Sequence, residues 1–242
     1  MARIGTSGWT YPHWRHVLYE GVPSARWLER YAAEFDTVEL NGSFYRWPST
    51  ERFTAWADRV PPGFSIAVKA PRGLSHGKRL ADPAVWLDRI RTSTDALGPH
   101  RGPLLVQLPP DMARDDARLD SFLDAVPDGL HPVMELRHPS WVDEAVFDIL
   151  ARHDAASCVM SGAGLPCELR ATSSLVYARL HGPDPHTLYA GSYSDDDLRW
   201  WRDRIREWEG AGHEVRVYFD NDGEGHAVRN ARTLREMLAS GG

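Results

Sequence analysis

The α/β class, as a single (β/α)8 barrel of the TIM type, is the fold that this 242-residue sequence predicts. Three observations carry the prediction. Short β-like runs alternate with helical patterns from end to end, making roughly eight strand-plus-connection units, the number a closed parallel barrel needs. Six of the strands finish on polar side chains, the pattern of strand ends that build a barrel's mouth. No linker, low-complexity segment or charge block interrupts the chain, so one domain over residues 1–242 is expected. An open doubly wound sheet is the competing fold, but no GxGxxG follows the first strand.

Each element rests on its own pattern. "RIGTSGW" opens as a strand, and "PSARWLERYAAEF" follows as a helix with Trp27, Leu28, Tyr31 and Phe35 at helical spacing behind a Ser24 cap. "TVELN" and then "STERFTAWADRV" form the second unit, and "FSIAVK" and "DPAVWLDRIRTSTDALG" the third. "PLLVQLP" precedes "DDARLDSFLDAV", and "PVMELR" precedes "SWVDEAVFDILARH". "ASCVM" is followed by residues 161–174, whose helical character is weak, which makes this the weakest unit. "LVYARLHG" leads into "SDDDLRWWRDRIREWEG", and "EVRVYFD" into "GHAVRNARTLREML".

Composition narrows the function classes. The chain is 42% hydrophobic and 26% charged, ordinary for a globular protein, and its net charge of -6 argues against a general nucleic-acid or acidic-membrane binder. "MARIGTSGWTY" lacks the apolar core of a signal peptide, no stretch approaches the roughly 20 apolar residues of a membrane span, and a cytoplasmic location is expected. Cys158 and Cys167, with no CxxC, suggest neither a disulfide framework nor a structural zinc site. The ten tryptophans read first as packing residues, with Trp9, Trp14 and Trp47, in predicted loops, as alternatives for a ligand mouth.

The site emerges from parity. Residues two apart on a strand share a face, so Glu39 goes with Asn41, Lys69 with Ala67, Glu135 with Arg137, and Arg179 with Tyr177 and His181. Gln107 ends the fourth strand, and Arg216, Tyr218 and Asp220 share a face of the eighth, with Asn221 and Asp222 beyond. Acids, bases, amides and a lysine converging from so many strands predict a ligand site, because burying charge is costly unless it is paired or used.

"GTSGWTYPHW", "YAAEFDTVELNGSFYRWP", "FSIAVKAP", "LLVQLPP", "MELRHPSW", "YARLHG" and "YFDNDGEGHAVRNA" occur in this order almost end to end. In these motifs the chain resembles the DUF72 (YecE-like) family. The resemblance implies a TIM-like barrel and supplies no reaction. Similar sequences usually read YFNND, so Asp220 stands where an asparagine is expected.

The candidate catalytic set is Glu39, Glu135, Lys69 and Asp222, and the candidate substrate-binding set is Asn41, Tyr45, Gln107, Arg137, Arg179, His181, Tyr218 and Asn221. Two carboxylates across a cleft suit general acid/base work or glycoside hydrolysis, and Lys69 is either a Schiff-base amine or a charged anchor. Arg137 and Arg179 offer forks to an anion, and Gly223 and Gly225 precede a helix whose start is a candidate anion cradle. No cofactor is predicted; a divalent metal on Glu39, Glu135, His181 and Asp222 is the alternative. The expected function is an enzyme, a hydrolase or lyase acting on a small anionic or sugar-like substrate. A non-catalytic metabolite-binding barrel is the alternative, and a metal-dependent nuclease or phosphodiesterase the weaker one.

Overall fold

In a computed structural model, which describes residues 1–240, eight strands form one parallel sheet. They are β1 (Arg3–Thr6), β2 (Thr37–Leu40), β3 (Ser65–Lys69), β4 (Arg101–Gln107), β5 (Pro132–Glu135), β6 (Ala156–Ser161), β7 (Leu175–Leu180) and β8 (Glu214–Phe219). The hydrogen-bonded order is β1-β8-β7-β6-β5-β4-β3-β2. The two ends of that order meet through a bridge between Ser7 and Glu39, where Gly8 N donates to Glu39 O at 2.7 Å, so the barrel is nearly closed. Gly5 makes this seam possible: a Cβ there would stand 2.3 Å from the carbonyl oxygen of Thr37.

Helices α1 (Trp27–Ala32), α2 (Thr50–Ala57), α3 (Ala84–Thr94), α4 (Asp116–Asp124), α5 (Glu144–Arg152), α6 (Asp195–Gly210) and α7 (His226–Ala239) follow every strand except β6. Their starts are chemically marked. The Asp115 side chain accepts from Arg118 N, Asp143 from Ala145 N, and Ser194 forms a reciprocal capping box with Asp197. The expected Ser24 cap is not made; Ser24–Arg26 is a tight turn and α1 begins one residue later. On α6, Leu198, Trp201, Ile205 and Trp208 face the sheet at spacings of three and four, the stripe that docks a helix on a barrel.

The β6–β7 crossover, residues 162–174, carries no helix. Thr172 ties it down instead, its hydroxyl donating to Ala155 O at 2.7 Å and accepting from Ser157 N at 2.8 Å. No helix among the described residues is long and apolar enough to cross a membrane.

Inside the barrel the side chains sort by height. Ala67, Leu105, Val133, Cys158, Met160, Tyr177 and Tyr218 pack as an apolar plug. Above it, at the C-terminal strand ends, the inward positions turn polar. Trp9 and Trp14 are buried in the outer core, and Trp47 packs beside it with its indole nitrogen on Ser93 Oγ at 3.2 Å, so none of the three lines the mouth.

Candidate functional site

Arg179 stands at the centre of the polar layer, and it is fully buried. Its Nε donates to Glu39 Oε2 at 3.0 Å, Nη2 to Glu39 Oε1 at 2.9 Å and to Asp220 Oδ2 at 2.7 Å, and Nη1 to Glu135 Oε2 at 2.6 Å. Nη1 also reaches His181 Nε2 at 2.9 Å. A guanidinium has five N–H donors, and these contacts use them all. The sequence offered Arg179 as a fork for a ligand; the structure gives that fork to three carboxylates contributed by β2, β5 and the end of β8.

The carboxylates are held from their other sides too. Glu39 accepts from Ser7 Oγ and from the Tyr177 hydroxyl, both at 2.6 Å. Glu135 accepts from Gln107 Nε2 and Arg137 Nε, both at 2.6 Å. Burial pushes the Glu135 carboxyl up, but the Arg179 and Arg137 guanidinium groups, with Lys69, outweigh it and hold the group well below the usual carboxylate range. Arg137 Nη2 extends the network to His181 Nε2 at 3.4 Å and to the Tyr189 hydroxyl at 3.2 Å. With two guanidinium donors on Nε2, the His181 proton sits on Nδ1, which is buried with no partner. Burial, then Arg179, brings the His181 pKa down to about 3, so the ring is neutral.

Two groups in the same layer are left incompletely used. Asp220 gives Oδ2 to Arg179, while Oδ1 faces the mouth and accepts no hydrogen bond from any described residue. Burial raises its pKa to about 6; Arg179 opposes this and Glu39 reinforces it. Lys69 is 6% exposed, donates to Asn41 Oδ1 at 3.1 Å, and lies 4.5 Å from the centroid of the Phe44 ring. Burial, aided by Arg179, brings its pKa down to about 8.

The structure thus gathers Glu39, Asn41, Lys69, Gln107, Glu135, Arg137, Arg179 and His181 around one mouth. Four other residues of the candidate set lie elsewhere. Tyr218 is sunk in the apolar plug with its hydroxyl 2.7 Å from Thr37 Oγ1 at the base of β2, so it contacts the barrel floor. Asn221 falls one residue past Asp220 and so points outward, donating to Gly191 O at 2.9 Å and to Asn230 Oδ1 of α7 at 3.0 Å. The Asp222 carboxylate lies beside His13, 3.7 Å from Nε2, and its backbone oxygen accepts from His13 and Trp14. Tyr45 is 81% exposed, packing edge-on to Phe44 with no side-chain hydrogen bond.

At the start of α7, the expected anion cradle, Gly225 packs against Val17, where a Cβ would lie 2.7 Å from Cγ2, while Gly223 stands exposed with open space around it. Among the described residues, no group of three or more His, Cys, Asp or Glu is placed to hold a metal ion, because Glu39 and Glu135 face Arg179.

Asp220, Ser7, Tyr177 and Tyr189 are the site residues outside the candidate set. Parity had put Asp220 and Tyr177 on the inward face, so for these two the signal was present in the sequence. Tyr189 had none: it sits in the β7–α6 loop with a φ of 68°, its amide donating to His181 O at 2.6 Å. Gly182 lets that loop fold back, since a Cβ there would stand 2.1 Å from Ala190 O.

A nearly closed parallel barrel with a charged, arginine-centred mouth is the class of protein these features define. The chain belongs to the DUF72 family, described as a protein of unknown function, whose model matches residues 3–242. It is 30% identical over 142 residues to UPF0759 protein YecE of Escherichia coli, a match covering 58% of this chain and half the length of that relative. With UPF0759 protein YunF of Bacillus subtilis it shares 24% identity across 98% of this chain and 95% of the relative. A solved DUF72 family protein of Thermotoga maritima superposes with a TM-score of 0.89 at 26% identity, covering 99% of both chains. Another, from Enterococcus faecalis, gives 0.88 at 20% identity, covering 99% of this chain and 96% of that one, and shares the fold.

Proposed function

We propose that the mouth is the active site of an enzyme working by general acid/base catalysis on a small anionic or polyhydroxylated substrate, as a hydrolase or lyase. The observation that carries this reading is the unequal use of hydrogen-bonding capacity. Glu39, Glu135 and Arg179 satisfy one another, whereas the largely buried Asp220 leaves Oδ1 open to the mouth without a protein partner and the Lys69 ammonium donates only to Asn41. Structural ion pairs are completed; groups kept for a reaction are not.

The two incomplete groups have pKa values displaced toward neutrality from opposite sides, about 6 for Asp220 and about 8 for Lys69. Between these values the carboxylate is free to take a proton and the ammonium to give one, which is the arrangement acid/base catalysis needs near pH 7. Arg137 Nη1, without a partner among the described residues, supplies a charge for an anionic group of the substrate.

The test is a turnover panel of small phosphoesters, glycosides and aldol or hydroxy-acid substrates. For any compound turned over, kcat/KM should be bell-shaped with limbs near 6 and 8, and Asp220→Asn should remove the acidic limb. Compounds that raise the melting temperature with no turnover across the panel would replace this reading with the metabolite-binding barrel.

A further inference from the structure

We infer that Lys69 is a covalent amine nucleophile that forms an imine with a small carbonyl compound bearing a carboxylate or phosphate. This deepens the acid/base reading above and rests on it. The sequence supplies the first observation: only two of the 28 basic residues are lysines, Lys69 and Lys78. Every other cation of the mouth is arginine, including the two that pair with carboxylates. Arginine holds charge as well as lysine does, or better, but its guanidinium is not a usable amine. In a chain that otherwise writes arginine, a lysine at the reactive end of β3 marks a position where charge is not the requirement.

Geometry supplies the second. Lys69 has no carboxylate within ion-pairing distance among the described residues, although Glu39, Glu135 and Asp220 share its mouth. Its polar contact is the neutral amide of Asn41, and Phe44 walls it from water. The charged and titratable groups around it are Glu39 of β2, Glu135 and Arg137 of β5, Arg179 and His181 of β7, Asp220 after β8, and His76 in the turn after β3. Their balance, with burial foremost, shifts the group toward the neutral amine.

The step closes chemically. Neutral Lys69 Nζ attacks the carbonyl carbon, a C–N bond forms, and the π electrons move to oxygen; one proton then passes from nitrogen to that oxygen to give a carbinolamine. Asp220, having taken up through water the proton that Lys69 gave up, protonates the hydroxyl, water leaves, and the nitrogen lone pair completes a protonated imine with Asp220 left as carboxylate. Hydrolysis by the reverse path returns the proton to Asp220. Arg137 Nη1 would hold the substrate's anionic group meanwhile.

The experiment treats the full chain with pyruvate or dihydroxyacetone phosphate and sodium cyanoborohydride, then maps adducts by peptide mass spectrometry. Lys78, on the surface, is the internal control. Lys69 should gain the reduced adduct at least tenfold faster than Lys78, with half-maximal labelling rate near pH 8. In Lys69→Arg and Lys69→Met, both verified as folded by thermal melts, the adduct at that peptide should vanish. Equal labelling of the two lysines, or none at Lys69 with either probe, overturns the imine. If the wild type turns over a substrate from the panel yet gains no adduct at Lys69 when that substrate is reduced with cyanoborohydride, the imine fails while acid/base catalysis stands; if no compound is turned over by the wild type, it is the broader reading that fails.

Discussion

Arg179 and Lys69 are both buried cations at the C-terminal end of one barrel, yet Arg179 donates to three carboxylates and Lys69 to a single amide oxygen. The first is a keystone. Three strands deliver acids to it, and desolvation of each charge is offset by short hydrogen bonds in fixed geometry. The second is left under strain by comparison, desolvated without an ion-pair partner. What the difference teaches is that burial alone does not mark a functional charge. The completeness of its partners does.

The comparison breaks most visibly at the keystone. Arg179→Met would strand Glu39, Glu135 and Asp220 together in a dry layer, and removing one partner from a buried charge network costs about 3–5 kcal/mol. Urea titration should show a loss of that size near pH 7. A loss under about 1 kcal/mol would mean that water enters the mouth freely and that the network contributes little.

Lys69→Met should move stability the other way. A folded-state pKa of about 8 against an ordinary value of 10.5 means that the charged form is disfavoured by folding. Removing that charge should therefore stabilise the protein by about 3 kcal/mol at pH 7, while abolishing turnover. The sign for pH follows. Between about 8 and 10.5 the unfolded chain holds more protons on this lysine than the folded one, so stability attributable to Lys69 rises with pH through that window. Wild type minus Lys69→Met, measured by denaturant midpoints from pH 7 to 10.5, should climb; a flat difference would show that Lys69 is solvated or paired. Asp220 has the mirror-image window: its raised pKa, about 6 against 3.8, makes its contribution fall as pH rises between those values. Asp220→Asn should flatten that fall.

Much of this was readable from the chain. The barrel follows from period-two runs alternating with helical stripes, and parity alone put Glu39, Lys69, Glu135, Arg137, Arg179 and His181 on inward faces. Parity gives the face and not the height. Tyr218 shares a face with Asp220, but its ring lies in the plug, because the stagger between strands is set by their tilt and not by any one strand's sequence. Past the last ladder bond the alternation loses its meaning, and Asn221 and Asp222 turned to α7 and His13 instead. Asp220 was visible as an extra carboxylate in a motif where an amide is usual, but its importance depends on which of its oxygens Arg179 leaves free. Tyr189 was beyond sequence reasoning, since a loop that folds back over a mouth carries no period.

The smallest expected effect on stability is also the sharpest test of the contrast. Asn41→Asp would place a carboxylate where an amide oxygen now lies 3.1 Å from Lys69 Nζ, turning the incomplete cation into a paired one like Arg179. Asn41 is only partly buried, so the new carboxylate keeps some contact with water, and the net change in stability should stay within about 1 kcal/mol. The chemistry should respond far more. An opposite charge at hydrogen-bond distance favours the ammonium and raises the Lys69 pKa by about one unit or more, which removes roughly nine-tenths of the neutral amine at pH 7. Cyanoborohydride labelling of Lys69 should slow about tenfold at that pH and recover toward wild type near pH 10, whereas labelling of Lys78 should not change. Unaltered labelling at pH 7 in a variant of normal stability would mean that the missing partner is not what makes Lys69 reactive, and the contrast between the two cations would then be one of packing alone.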